Sequence, residues 1–222
     1  MSNNYKIQIV FAPLPEEERD VERSAAKELA LRTAEIFRRM AASNDATCVV
    51  EISHLVDWEK EKFMESISPA SSNTETDQDG VIGGKNSVVV FLISCGPDGS
   101  VHRHVRKTTK WFKEQHQTIQ SKETSNSKTV DEQLDSTATT AIVALLGHSV
   151  CKTSAEQMAD EVFSPGRRLA KSIQNFVVSA SQSSTKVTGA HKFLLETQIE
   201  LEPPEEKFDG WVQSWVDLLL IK

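Results

Sequence analysis

The chain has 222 residues, with 25 Lys and Arg against 32 Asp and Glu, and its formal net charge is −7. This length fits one domain, and a chain that is 38% hydrophobic and 26% charged is not globally disordered. No apolar run reaches the roughly 18 to 20 residues needed to span a bilayer, and the N-terminus lacks the features of a signal peptide. We therefore expect a cytoplasmic protein that does not bind membranes, and the acidic balance argues against nucleic-acid binding.

Short apolar segments predict five β-strands, and segments with helical periodicity separate them. The strand segments are Tyr5–Ala12, Thr47–Ile52, Ser87–Ser94, Ala138–Leu146 and Lys192–Leu201. The third and fourth segments are apolar without alternation, which is typical of parallel strands that helices cover on both faces. Strands that alternate with helices in this way indicate an α/β fold with right-handed crossovers.

Helical periodicity is clear at both ends of the chain. Apolar side chains three or four residues apart predict the first helix, at Ala26, Leu29, Ala30, Thr33, Ile36, Phe37 and Met40. The same spacing predicts the last helix, at Phe208, Trp211, Val212, Trp215 and Leu219. In the fourth helix, Ser164 and Pro165 have the residue types of an N-cap and a first helical position. We therefore predict that this helix is broken into two pieces there.

Polar stretches interrupt the alternation of strands and helices at three points. We predict one domain over residues 1–222, with surface insertions at Ser66–Asn86, Gln115–Thr140 and Ser179–Gly189. Each stretch lies between core elements, and the chain without them keeps roughly 150 to 170 residues, a normal size for one α/β domain.

Three segments, in chain order, resemble parts of the flavodoxin-like domain family. The strand Val88–Ser94, with the Gly/Asp loop after it and the segment Lys107–Lys113, resembles the third strand and following helix of that family. Ala144–His148 resembles the F-G-L-G-N end of its fourth strand, and Lys207–Trp215 resembles its closing F-x-x-W helix. The chain is similar in particular to the FMN modules of diflavin reductases and of the radical-SAM enzymes of wybutosine synthesis.

The resemblance implies a three-layer sandwich, in which a five-stranded parallel sheet of order 2-1-3-4-5 has helices on both faces. It also implies that FMN binds at the carboxyl ends of the strands, at the point where the strand order reverses. The implied activity is electron transfer. The chain has no complete catalytic constellation, so it would be at most an electron-transfer module, and whether it is an enzyme stays open.

The first loop of the implied site would bind the FMN phosphate, and here it differs from the family. Where the family has S-x-T-G-T, two prolines remove N–H donors, and Glu16-Glu17-Glu18 place negative charge at the phosphate position. Arg19, Arg23 and Ser24 are the remaining candidates for phosphate binding. The alternative is an ordinary helix N-terminus with acids that its dipole favours.

The second and third loops would hold the flavin ring. Gly96 stands where the family has a flanking Tyr, and Asp98-Gly99 keeps an acid-Gly pair that is equally explained by a Pro-Asp-Gly turn. In the third loop, His148 replaces an Asn and Cys151 stands at the position of the second flanking aromatic residue. The candidate ring-binding residues are Cys95, Gly96, Asp98, Gly99, Gly147, His148 and Cys151.

Other residue patterns leave two interpretations open. His102 and His104 are either metal ligands or, beside Arg103 and Arg106, basic surface residues, and the second interpretation is favoured because no third ligand is evident. Cys151 near His148 is either a reactive thiol or, as we favour, a packing residue. The acidic run Glu200–Glu206 is either a patch for a basic redox partner or a solvated turn.

Two hypotheses of function follow. We favour a flavodoxin-like protein whose phosphate and ring-stacking loops are eroded, so that FMN binding is weak or lost and the protein binds a redox or scaffold protein partner. The alternative is a functional stand-alone FMN-binding electron carrier that serves a separate reductase or radical enzyme. The resemblance implies FMN, whereas the three acids at the phosphate position argue against it.

Overall fold

The computed structural model describes residues 4–43, 46–61, 63, 86–96, 98–123, 139–147, 155–183, 192–200 and 205–220. It contains strands β1 to β5 at Asn4–Ala12, Thr47–His54, Asn86–Cys95, Thr139–Gly147 and Lys192–Glu200. A 3-10 segment occupies Pro15–Arg23, and the α-helices α1 to α4 are Ala25–Ser43, Arg103–Glu123, Ala155–Ser183 and Glu205–Leu220. No helix in the described ranges is long and apolar enough to cross a membrane.

The strands form a parallel sheet. β1 lies between β2 and β3, β4 pairs with the other side of β3, and β5 pairs with β4. The predicted α/β class and the parallel order 2-1-3-4 of the first four strands are confirmed. This order is the flavodoxin-like one, in which the chain reverses direction across the sheet between β1 and β3.

Helices cover both faces of the sheet because its central strands are apolar on both sides. In β3, Val88, Val90 and Leu92 belong to the core under α1 and α4, and the intervening Val89, Phe91 and Ile93 belong to the core under α2 and α3. All six side chains are buried. A parallel strand that is apolar on both faces is buried by helices on both sides. The sequence of β3 thus accounts for the three layers, helices, sheet and helices.

An ion pair joins α1 and α4, which cover the same face of the sheet. The Arg32 guanidinium in α1 donates from Nε to Oδ1 of Asp209 in α4 at 2.5 Å, and from its Nη2 to Oδ2 at 2.8 Å. These hydrogen bonds lower the pKa of Asp209 below its ordinary value. The bidentate geometry orients α4 across α1, beside the apolar contacts of Phe208 and Trp215.

The predicted break of the helix at Ser164 and Pro165 is wrong. These residues belong to α3, which runs without interruption through Pro165. Buried side chains hold the helix against the sheet on both sides of the proline, among them Phe163 and Leu169. Gly166 brings the helix backbone close to β4, since a Cβ there would lie 2.6 Å from Cδ2 of Leu145. Packing against the sheet thus outweighs the local preference of the Ser-Pro-Gly sequence.

Two of the predicted insertions begin later than expected. α2 continues to Glu123 and α3 to Ser183, so residues 115–123 and 179–183 are helical and not part of insertions. Gln117, Thr118, Gln120 and Ser121 are exposed, whereas Ser179 is buried and Ile119 packs against the core. Asn86, Thr139 and Thr140 belong to strands, and the rest of the three stretches lies outside the described residues.

We predict that Gly166→Ala destabilises the protein although alanine favours helix. The new Cβ would overlap Leu145, and overpacking of a buried contact costs about 1–3 kcal/mol. Gly210→Ala in α4 is the matched control, because its Cβ would meet nothing within 4 Å and should stabilise by about 0.5–1 kcal/mol. Urea unfolding of both variants measures the difference, and equal stabilisation of the two would show that α3 does not pack closely on β4.

Candidate functional site

The candidate site is the crevice at the carboxyl ends of β1 and β3, where the strand order reverses. In open α/β sheets this is the position at which ligands bind. Here it is bordered by the 3-10 segment after β1, by His54 at the end of β2, and by the turn after β3 that leads into α2.

A carboxylate of the chain itself occupies the helix N-terminus beside β1. Oε2 of Glu17 accepts the backbone N–H of Leu14 at 3.0 Å, and Oε1 accepts that of Ala25, the first residue of α1, at 3.4 Å. The 3-10 segment makes this contact possible because it departs from helical geometry at Asp20. Glu17 therefore takes the N–H group that an anion would use at the start of α1.

The three candidate phosphate residues have other roles in the structure. Ser24 is buried and caps α1, since its hydroxyl donates to the carbonyl of Val21 at 2.7 Å and accepts the N–H of Lys27 at 3.3 Å. Arg23 is 87% exposed and its Nε lies 3.5 Å from Oδ2 of Asp20. Arg19 is an exposed residue of the same 3-10 segment.

The N–H groups of the turn after β3 donate to acceptors within the same turn. Gly96 donates to the carbonyl of Ser100 at 2.8 Å, Gly99 to that of Gly96 at 2.9 Å, and Ser100 to a carboxylate oxygen of Asp98 at 2.9 Å. Gly99 has a φ of 76°, and a Cβ on Gly96 would lie 2.2 Å from the Ser100 hydroxyl. The turn geometry itself therefore explains why glycines and an aspartate stand here.

The remaining candidate ring-binding residues divide into two groups. Cys95 and Gly147 are aligned as neighbours at the ends of β3 and β4. The Cys95 side chain is fully buried in the core under α2 and α3, and burial raises the pKa of its thiol to about 12. His148 and Cys151 lie outside the described residues, so the predictions for the third loop stay predictions.

Three histidines meet at the crevice. The rings of His54 and His102 are in edge contact with centroids 5.1 Å apart, and His102 stacks on His104 at 5.2 Å. Nε2 of His54, Nε2 of His102 and Nδ1 of His104 are buried and have no hydrogen-bond partner among the described residues. Within the described part of the chain, no group of three or more His, Cys, Asp or Glu residues is arranged to hold a metal ion.

His102 caps α2 and links it to the 3-10 segment. Its Nδ1 accepts the N–H of His104 at 3.3 Å, so the proton of the neutral ring belongs on Nε2, which lies 3.6 Å from Oε1 of Glu18. The same carboxylate oxygen lies 2.9 Å from Nη2 of Arg103. The interpretation of His102 as a surface residue is wrong, because it is fully buried.

Burial sets the protonation of this cluster. It lowers the pKa of His102 below the ordinary value of 6.5, His54, His104 and Arg103 add to the effect, and Glu18 opposes it. Burial also lowers the pKa of His54, against Asp57 and Glu18. The pKa of His104 falls for the same reason, with Lys107, Arg103 and His54 adding and Glu18 opposing. The three histidines are thus mostly neutral near pH 7, and the carboxylate beside them is that of Glu18.

Sequence reasoning missed His54 and the pairing role of Glu18. A polar residue at the carboxyl end of a strand was the available signal for His54, since such residues border the crevice of this fold. For Glu18, the signal was its membership of an acidic run directly after β1.

No protein-family model and no curated protein matches the chain. Among solved structures, it is similar to oxidised flavodoxin 1 from Bacillus cereus, with 10% sequence identity and a TM-score of 0.41. That similarity covers 98% of this chain and 99% of the flavodoxin. The flavodoxin-like assignment of the fold is based on the strand order and on the helices of the two faces.

We predict that the thiol of Cys95 does not react in the native protein. A thiol with a pKa of about 12 has almost no thiolate at about pH 8, and the side chain is also fully buried. Cys48 on β2 is half-buried and serves as the internal control. Iodoacetamide labelling followed by mass spectrometry should modify Cys48 first and Cys95 only after unfolding, whereas native labelling of Cys95 would contradict its burial.

Acid should destabilise the protein through the histidine cluster. The folded-state pKa values are lowered, so the unfolded chain binds more protons once the pH falls below about 6.5, and stability is lost from there through the folded values. His102→Asn keeps an N-cap acceptor and should reduce the proton uptake on unfolding. Urea melts between about pH 7.5 and 5.5 test this. His116→Gln, on the outer part of α2, is the control, and an unchanged pH dependence in His102→Asn would contradict the assignment.

Proposed function

We propose that this protein is a flavodoxin-fold module whose crevice no longer suits FMN and whose role is to bind a partner protein. The observation that carries the proposal is the Glu17 carboxylate on the N–H groups of Leu14 and Ala25. The chain thus engages with its own side chain an N–H group at the start of α1, where a phosphate would bind.

Electrostatics decides against a phosphate beside this carboxylate. Two unit charges of the same sign 4 Å apart repel by about 4 kcal/mol at an effective dielectric constant of 20. The favourable effect of a helix N-terminus on an anion is smaller, about 0.3–1 kcal/mol at a surface site. With Glu18 close by and engaged by Arg103, the phosphate end of FMN does not fit the residues present.

The ring end of FMN also finds little to bind in the turn after β3. The N–H groups of Gly96, Gly99 and Ser100 are already engaged within the turn, so they are not available to a flavin edge. Among the described residues of this turn, none is aromatic, and stacking contributes about 1–3 kcal/mol per ring where it occurs. The start of α1 and the turn after β3 therefore both support a binding module without FMN.

Titration with FMN tests the proposal against the alternative of a stand-alone electron carrier. We expect no saturable change of FMN fluorescence with the purified protein, which should also be colourless. Stoichiometric FMN in protein isolated from its native source would establish the carrier and overturn the proposal.

Glu17→Gln tests the physical cause. The substitution removes the charge at the start of α1 and should increase the affinity for inorganic phosphate at least about tenfold, the factor that corresponds to 1.4 kcal/mol. Glu16→Gln is the matched control, because it makes the same charge change at an exposed residue of the same 3-10 segment. Phosphate binding that is equal in the two variants would show that Glu17 does not block the anion position.

A further inference from the structure

α2 presents a row of cations on its outer surface. The side chains of Arg103, Arg106, Lys107, Lys110 and Lys113 are all exposed. Steps of three and four residues place them on one side of the helix, opposite the buried Val105 and Phe112. At a rise of 1.5 Å per residue the row is about 15 Å long.

The first two cations of this row, Arg103 and Arg106, conflict with the local electrostatics of the helix. Cations near a helix N-terminus oppose the macrodipole, which favours acids there, and the first turn of α2 contains no acidic residue. Arg103 is compensated by Glu18 at 2.9 Å, and Lys110 by Glu114 at 3.7 Å. Residues that break a local rule without an internal benefit are typical of functional surfaces.

Three of the five cations have no ion-pair partner within the described part of the chain, namely Arg106, Lys107 and Lys113. We call the five residues of the row on α2 the basic face. It stands out in a chain whose net charge is −7, so the acidic excess lies on the rest of the molecule.

We propose that the basic face is the docking surface for an acidic segment of a partner polypeptide. This inference rests on the proposed partner-binding role, and it specifies that the partner presents a negatively charged segment. An extended segment rises about 3.3 Å per residue, so about five residues span the row on α2. Arginines in the row suit bidentate pairing with carboxylates, and the lysines act as point charges.

The dimensions and charges favour a polypeptide over a nucleic acid or a membrane. A long polyanion or an anionic bilayer extends beyond a row of about 15 Å and meets the net negative charge of the remaining surface. Binding of single-stranded nucleic acid also uses exposed aromatic rings, whereas Trp111 beside the row packs partly into the core.

A labelled ten-residue peptide of alternating Glu and Ser is the probe, and its Gln/Ser counterpart is the neutral control. Fluorescence anisotropy at low ionic strength should show binding of the acidic peptide alone, weakened by salt because screening shortens the range of the interaction. Lys107→Glu/Lys110→Glu should weaken binding at least about tenfold. Arg38→Glu/Arg39→Glu on α1, at the opposite face of the sheet, makes the same charge change and should leave binding intact.

Circular dichroism of each variant establishes that it is folded. An oligothymidylate and vesicles that contain phosphatidylserine are tested in parallel, and preference for either over the peptide overturns the proposal. So does equal weakening in both double variants, or no binding of the peptide. The FMN titration is run on the same samples. Saturable FMN binding would overturn the proposed function, whereas failure to bind either the acidic peptide or FMN would overturn only the proposal that the basic face is a docking surface.

Discussion

Two of the helices, α1 and α2, begin beside the crevice at the carboxyl edge of the sheet, and each must find acceptors for the N–H groups of its first turn. This requirement shapes the whole crevice. α1 is satisfied by Ser24 and by the carboxylate of Glu17, and α2 is satisfied by the ring of His102. The chain thus supplies side-chain acceptors of its own at the start of both helices that border the crevice.

The two caps are coupled through neighbouring glutamates. Glu17 holds the 3-10 segment to the start of α1, and Glu18, the next residue, reaches His102 and Arg103 at the start of α2. A segment that would otherwise be a surface connection is therefore tied to both faces of the sheet. The histidines that it covers are mostly neutral near pH 7 because burial disfavours their charged forms. Burial is the largest influence on the protonation of these three histidines.

The central strands could be predicted from the sequence, because the apolar runs of β3 and β4 are typical of strands buried between two helical layers. The order of the strands was implied only by the flavodoxin-like resemblance. The turn at Gly96–Ser100 was also within reach, since Asp and Gly at those positions specify turn geometry whatever the function. The course of α3 through Pro165 was not, because buried side chains on both sides decide it and the local residues oppose it. The contact of Glu17 with Ala25 accompanies a departure from helical geometry at Asp20, and no residue pattern predicts this departure.

The distribution of charge links the crevice to the outer surface. The acids after β1 oppose a phosphate, and one of them neutralises Arg103, the first cation of the row on α2. Arg106, in the first turn of α2, opposes the helix macrodipole, and Arg106, Lys107 and Lys113 have no ion-pair partner within the described part of the chain. Our proposal places partner binding on the outer face of α2 and not at the edge of the sheet. Its physical basis is that the Glu17 carboxylate engages an N–H group at the start of α1, whereas three cations of the row on α2 have no ion-pair partner within the described part of the chain.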